Sequence, residues 1–114
     1  MTVSDMDRSV QFFSSVLSFR KDSDAVLHGP QFDTLTGIAG ARARIVGMTL
    51  GEETIDLTEY LTPQGRPAPT DSRSNDLWFQ HIAIVVRDMD AAYARLCKFG
   101  VDTISPEPQR IEHG

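Results

Sequence analysis

Few residues of this sequence could do chemistry, and they are spread along the chain. Its 114 residues include three histidines and one cysteine. Imidazole and carboxylate groups can move protons or bind divalent cations. His81 stands in an apolar run, Phe-Gln-His-Ile-Ala-Ile-Val-Val, and Asp56 stands between Ile55 and Leu57. Each has a structural alternative, because His81 could be a core histidine with a hydrogen-bonded ring and Asp56 a solvated residue on a polar face.

Other polar residues are weaker candidates for a functional role. His28 lies in a Gly-Pro loop, where it could border a pocket or be solvated. Arg42 and Arg44 alternate along a predicted strand and could hold an anionic substrate, although exposed strand arginines are common. Cys97 lies in a helical pattern and is expected to be a buried, inert thiol. The remaining candidates are expected to be charges at strand edges or turns (Glu53, Glu59), core aromatics (Trp78, Phe79) and a residue without a role at the chain end (His113).

Composition limits the classes of function. Apolar residues make up 40% of the chain and aromatic residues 8%, which fits one soluble globular core. The net charge of −5 and the isoelectric point near 5.0 disfavour nucleic acid and anionic membranes as partners. A single cysteine cannot form an intrachain disulfide, so a reducing, cytoplasmic setting is expected. The sequence shows neither an apolar run of membrane-spanning length nor a signal peptide.

The elements that position these residues occur twice. The tripeptide Asp-Met-Asp is found at residues 5–7 and again at residues 88–90, 83 positions later. This repeat indicates a two-module protein built by duplication. In each copy the first aspartate suits the N-cap of a helix with one apolar face. The predicted faces are Met6, Val10, Phe13 and Leu17 in the first helix, and Met89, Tyr93 and Leu96 in the second, which Gly100 ends.

Alternating apolar residues and turn signals predict the strands. Residues 41–50 and 54–60 form a hairpin with a turn at Gly51-Glu52, and residues 62–76, rich in proline and polar residues, form a linker. Residues 26–40 contain Gly-Pro and two further glycines, so they are predicted as a loop with a short segment of uncertain type. Further strands are predicted over residues 19–24, 78–86 and 101–104.

This layout resembles the vicinal oxygen chelate superfamily, which includes glyoxalase I, bleomycin-resistance proteins and extradiol dioxygenases. TVSDMDRSVQFFSSVLSF is similar to the family's first strand-to-helix segment, ETIDLTEY to its fourth strand, and FQHIAIVVRDMDAAYARLCKFGV to the opening of a second module. The resemblance implies an α+β fold in which tandem βαβββ modules form a curved mixed sheet with the helices outside. This chain is expected to hold an incomplete version: residues 1–61 form a first module lacking most of its first strand, and residues 77–114 start a second.

The resemblance also implies a metal site. In the family, the first and fourth strands of each module supply His, Glu or Gln ligands to a divalent ion inside a cup. The second module's first-strand ligand corresponds to His81, and the first module's fourth-strand ligand corresponds to Asp56, where many relatives have Glu. The repeat offset places the mate of His81 before Met1 and the mate of Asp56 beyond Gly114. The sequence is therefore expected to hold at most two of the four ligand positions.

Functions from different classes are compatible with this resemblance. The first is a divalent-metal-dependent lyase, isomerase or dioxygenase that acts on a small oxygen-rich molecule, with Zn, Ni, Mn, Fe or Mg as the ion. The sequence does not identify its general acid or base. The alternative is a metal-free protein of the antibiotic-binding type, which would hold a flat or cationic molecule with aromatics such as Trp78 and Tyr60. An inactive fragment is the third reading, and its unpaired sheet edge would favour pairing with a second chain. A homodimer is expected, because family members assemble their cups across dimers.

Overall fold

The elements of the chain fall into two units, Met1–Gln80 and the residues from His81 onward. The computed structural model describes residues 1–112, so the prediction for His113 lies outside the described residues. In the first unit the helices are α1 (Met6–Ser15) and α2 (Pro30–Thr36), and the strands are β1 (Arg20–His28), β2 (Arg42–Leu50) and β3 (Glu53–Thr62). In the second unit the helix is α3 (Met89–Lys98). The domain boundaries inferred from the sequence remain a prediction.

The three strands form one antiparallel sheet with β2 in the centre. The predicted hairpin is confirmed: β2 and β3 pair from Leu50 and Glu53 outward, and Gly51 takes a positive φ of +61° in the turn. Residues 26–40 were predicted as a loop with a short segment of uncertain type. Residues 26–28 instead continue β1, the short segment is α2, and the loop is limited to the residues that connect these elements to each other and to β2. Pro30 in the first turn of α2 and Gly37 in the left-handed conformation at its end are ordinary helix boundaries.

Residues before the first helix add a short parallel segment along the outer edge of β3. Val3 N donates to Thr58 O at 2.8 Å, and Thr58 N donates to Met1 O at 2.8 Å. Thr2 and Thr58 therefore form a parallel bridge. The first unit therefore begins with one bridge at the edge of β3, followed along the chain by α1, β1, α2, β2 and β3.

The core lies between α1 and the sheet. Met6 and Phe13 of α1 pack with Val46, Met48 and Leu57 of the strands, all of them at most 6% exposed. Phe19, which is also buried, meets Phe13 edge to face at 5.2 Å between ring centroids. Burying each of these large side chains contributes about 1.5–3 kcal/mol to folding. The predicted apolar face of the first helix is therefore confirmed as a core face, with Val10 and Leu17 partly buried beside it.

Polar contacts fix the start of α1 over the sheet. Asp5 is the N-cap, as predicted, and its Oδ1 accepts from Arg8 N at 3.1 Å. Glu59 of β3 reaches the same helix end, where its Oε1 accepts from Met6 N at 3.2 Å. Glu59, predicted as an edge or turn charge, does lie on the edge strand β3. Its half-buried carboxylate also satisfies an amide that has no partner inside the helix.

The second unit reproduces the first helix of the repeat. Met6 corresponds to Met89 and Ser15 to Lys98, so both helix ends are 83 positions apart. Asp88 Oδ1 accepts from Ala91 N at 3.0 Å, which repeats the Asp5 cap. Gly100 ends the helix as predicted, with a φ of +70°.

Several predictions for the later part of the chain are wrong. Residues 78–86 and 101–104 form no strand, because a strand needs a hydrogen-bonded neighbour and the described part of the second unit supplies none. Met89 of the predicted buried face is 57% exposed, and Cys97 is exposed rather than buried. Trp78 and Phe79 are also exposed, at 58% and 44%, and are not core residues.

Candidate functional site

The sheet has an open face, opposite α1, which carries one of the two predicted metal ligands. Strand residues alternate between the two faces of a sheet, and Leu57 is buried in the core beneath α1. Asp56 therefore points to the opposite face. Its register partner on β2 is Gly47, and a side chain at Gly47 would begin 3.7 Å from Asp56 Oδ1. Because Gly47 has no side chain, no β2 side chain lies beside Asp56 at this position, and the Ser23 side chain lies over Gly47 instead.

Asp56 differs from the other aspartates of the sheet in its hydrogen bonding. Asp22 forms an ion pair with Arg20, and Asp24 forms ion pairs with two basic side chains. Within residues 1–112, by contrast, no donor contacts the exposed Asp56 carboxylate, and only the backbone carbonyl of Asp56 is engaged, by the Met1 amino group at 2.7 Å. An exposed carboxylate without an internal partner remains available to a ligand.

Polar side chains cross the open face beside Asp56. We call them the open-face row, which consists of Asp22, Ser23, Thr49, Thr54 and Asp56. Thr49 Oγ1 donates to Asp22 Oδ2 and lies 3.0 Å from Thr54 Oγ1. Ser23 Oγ accepts from Gly47 N at 3.2 Å. The row thus presents hydroxyl and carboxylate oxygens from all three strands, which suits a polar ligand or a hard cation.

A β-bulge in β1 makes this arrangement possible. The register with β2 shifts between Lys21 and Ser23, so Asp22 and Ser23 both contact groups of the open face although regular neighbours would point to opposite faces. The hydrogen bond from Thr49, followed by that from Arg20, lowers the pKa of Asp22. Asp22 is therefore an ionised hydrogen-bond acceptor at neutral pH.

His81, the second predicted ligand, belongs to the second unit. Its side chain is exposed, which contradicts the alternative of a core histidine. It lies in residues 81–86, which precede α3 without forming a strand. The pairing of His81 with Asp56 at a metal ion therefore stays a prediction.

The ligand atoms of Asp56 and His81 are of types that bind divalent ions, but they are few. Carboxylate oxygen and imidazole nitrogen suit Zn, Ni, Mn or Fe. Within residues 1–112, however, no three His, Cys, Asp or Glu side chains come together in a way that could hold an ion. The number of family ligand positions in this sequence stays a prediction.

The other residues singled out in the sequence have varied locations. Arg44 contacts Asp7 of α1 and Asp24, so it lies on the helix-covered face and cannot line the open face. Arg42 and His28 border a groove at one end of the sheet. Glu53 is exposed beside the Gly51-Glu52 turn, as predicted.

Part of the open-face row was not predicted from the sequence. Thr49 and Thr54 could have been recognised, because they flank the hairpin turn in phase with Asp56. Asp22 and Ser23 could not, since alternation assigns them to opposite faces and only the bulge brings them together.

Comparisons with known proteins agree with this architecture. The profile of the Glyoxalase/Bleomycin resistance protein/Dioxygenase superfamily matches residues 1–114. A crystal structure of a glyoxalase family protein from Bacillus cereus superposes with a TM-score of 0.81 at 23% sequence identity, covering 97% of this chain and 75% of that one. At this identity the likeness concerns the fold. A search of curated proteins gives no significant match.

These findings define an α+β protein whose first unit has a three-stranded antiparallel sheet with α1 packed on one face. The chain belongs to the Glyoxalase/Bleomycin resistance protein/Dioxygenase superfamily. In the part of the chain that the structure describes, no helix is long and apolar enough to cross a bilayer.

Proposed function

We propose that this protein is a divalent-metal-dependent enzyme of the lyase, isomerase or dioxygenase type that acts on a small oxygen-rich molecule. In this proposal Asp56 and His81 are ligands to the ion. The observation that supports it best is the Asp56 carboxylate, which is exposed on the open face and has no donor within residues 1–112. The single cysteine supports a cytoplasmic setting.

The residues of the open-face row have distinct parts in this proposal. A bound divalent ion would polarise a carbonyl or enolate oxygen of the substrate. Asp22, kept ionised by Thr49 and Arg20, accepts a hydrogen bond from a substrate hydroxyl. Thr54 offers a hydroxyl beside Thr49 that can donate to a substrate oxygen. These contacts orient an oxygen-rich molecule over the sheet.

Calorimetric titration with Mn²⁺, Ni²⁺ and Zn²⁺ tests the metal site. The protein is first treated with EDTA, and wild type is compared with Asp56→Asn and with His81→Ala, which leaves no ligand atom at position 81. Because removal of even an outer-shell partner weakens metal binding by about 10–100-fold, we expect each ligand variant to lose at least about tenfold in affinity. Glu53→Gln is the matched control, since Glu53 is an exposed carboxylate on the same strand, at the hairpin turn.

The control decides between a specific site and general attraction of cations. Unchanged binding in Glu53→Gln with weakened binding in Asp56→Asn supports the proposal. Equal losses in both carboxylate variants, or wild-type affinity in Asp56→Asn, would remove Asp56 from any metal site.

A second candidate function is metal-free binding of a small molecule. Tyr60, four residues after Asp56, lies on the same face of β3 by strand alternation and is half-buried. An aromatic ring that carries its own hydroxyl group suits a flat polar molecule. Thermal-shift measurements in EDTA with a panel of flat aromatic compounds test this reading. Stabilisation that is lost in Tyr60→Ala and kept in Asp56→Asn would favour it over the enzyme.

A further inference from the structure

A shallow groove lies at the end of the sheet where β1 ends and β2 begins. Its volume is about 360 Å³. The three strands contribute His28, Arg42 and Thr62 to its lining, and the segment around α2 contributes Asp33. Two of these four side chains are basic, although the whole chain carries a net charge of −5.

Strand register places the two basic residues side by side. His28 and Thr62 are the register partners of Arg42 on its two sides. Paired residues of antiparallel strands have Cα atoms about 4.5–5.5 Å apart. Basic groups directly opposite each other repel when both are charged. An anion bound between His28 and Arg42 would turn this repulsion into attraction.

Neither basic side chain is engaged elsewhere. Arg20, Lys21 and Arg44 all form ion pairs with aspartates. Within residues 1–112, in contrast, His28 and Arg42 form no ion pair and no side-chain hydrogen bond, so their N–H groups are available.

Asp33, the acidic residue of the groove, already accepts hydrogen bonds with its carboxylate. Both oxygens of Asp33 accept backbone hydrogen bonds, from Gly40 N at 2.9 Å and from Ala41 N at 3.1 Å. Asp33 therefore orders the loop after α2 and is not bonded to either basic side chain.

The groove is separate from the open-face row. Arg42 precedes Gly47, the partner of Asp56, by five residues on β2. At about 3.4 Å per residue, this places the two sites about 17 Å apart along the strand. Ligand binding in the groove can therefore be measured independently of the metal site.

We propose that this groove binds a small oxyanion, namely a carboxylate or phosphate group of a metabolite. The Arg42 guanidinium supplies a planar pair of N–H donors that matches either group. The His28 ring and the Thr62 hydroxyl add further donors from the flanking strands.

Nuclear magnetic resonance titration with inorganic phosphate and, separately, with succinate at constant ionic strength tests this site. We expect saturable shifts of the His28 ring and of the Gly40 and Ala41 amides, with a dissociation constant on the order of millimolar. Arg42→Gln should weaken binding at least about fivefold, and Arg42→Lys should be intermediate because it keeps the charge and loses the planar fork. Arg66→Gln is the matched control, because Arg66 is an exposed arginine outside the groove.

Each outcome bears on the proposal. Saturation with either anion, lost in Arg42→Gln and kept in Arg66→Gln, supports it, and the tighter of the two anions identifies the chemical group. Linear shifts without saturation, or equal weakening in both arginine variants, would mean adventitious anion contact only. Spectra of Arg42→Gln in the absence of anion, with the other amides unmoved, exclude a folding defect as the cause.

Discussion

Arg44 joins three elements of the first unit through one guanidinium group. Its Nε and Nη2 atoms bind both oxygens of Asp24 at 2.9 and 2.7 Å, and Nη1 binds Asp7 of α1 at 2.9 Å. Lys21 Nζ also contacts Asp24, at 2.7 Å. The hydrogen bonds from Arg44, followed by the one from Lys21, hold the pKa of Asp24 well below its usual range. They couple the stability of the fold to pH.

We expect Asp24→Asn to reduce the loss of stability in acid. A carboxyl group with a lowered folded-state pKa stabilises the fold above its unfolded pKa, about 3.9, and this stabilisation disappears as pH falls toward the folded-state value. The variant should be about 1 kcal/mol less stable than wild type at pH 7, because the pairs are partly exposed. The difference should begin to shrink below about pH 4 and should be clearly smaller at pH 2 than at pH 7. Urea unfolding at pH 7, 4 and 2, followed by circular dichroism, measures it.

The control for this experiment is Asp71→Asn, which removes an exposed carboxylate that forms no ion pair among the described residues. Its stability should run parallel to that of wild type at all three pH values. A difference between Asp24→Asn and wild type that stays constant from pH 7 to pH 2 would contradict the linkage.

At the scale of elements, the two aspartate caps offer a comparison within one chain. Asp5 and Asp88 accept the same type of bond, from Arg8 N and Ala91 N. Their helices differ in environment, because α1 buries Met6 and Phe13 while α3 has no buried residue. The same local signal therefore acts on helices with different amounts of tertiary support.

We expect the two N-cap variants to destabilise different parts of the chain. Asp5→Ala should lower the free energy of unfolding of the first unit by about 1 kcal/mol. Asp88→Ala should speed amide exchange throughout α3 and leave the exchange of β2 amides unchanged, because β2 belongs to the other unit. Hydrogen exchange read by nuclear magnetic resonance measures both effects. Serine at either position should restore most of the protection, since it also caps helices, and faster β2 exchange in Asp88→Ala would contradict the prediction.

Elements that depend on neighbouring residues in the sequence were predictable, and those that depend on contacts with distant parts of the chain were not. Local sequence alone determines the N-caps at Asp5 and Asp88 and the turn at Gly51-Glu52. A strand over residues 78–86 needed a neighbour that its apolar pattern cannot reveal. The bulge after Lys21 brings two of the five residues of the open-face row onto the open face, and it likewise cannot be predicted from the periodicity.

At the scale of the whole molecule, exposed apolar side chains are concentrated in one stretch of sequence. Within residues 77–89 the most exposed are Leu77 at 101% and Val85 at 98%, and the same stretch contains further exposed residues. Those residues are Trp78, Phe79, Ile82, Ile84, Val86 and Met89. Apolar surface of this extent marks an interaction site or an aggregation risk.

We therefore expect the protein to self-associate through residues 77–89. Sedimentation velocity at 5–100 µM should show a concentration-dependent shift toward dimer. The double variant Ile84→Lys and Val86→Lys should sediment as a monomer over this range, because each lysine adds charge to the apolar stretch. Leu35→Lys is the control, since Leu35 is 82% exposed but lies on α2. A monomeric wild type, or a dimer that survives the double variant, would contradict this assignment.

The contact between Ser23 and Gly47 constrains how this protein can evolve. A Cβ atom at position 47 would lie 2.5 Å from Ser23 Oγ, so Ser23 would have to turn away and leave the buried Gly47 amide without its acceptor. If Ser23 first mutates to alanine, the Gly47 amide loses this acceptor once, but the clash is removed, because a Cβ at position 47 then meets the Cβ of residue 23 and Asp56 Oδ1, each at 3.7 Å. The order of substitutions therefore matters. Lineages that have kept serine at 23 should retain glycine at 47, and those with alanine at 23 are free to change both.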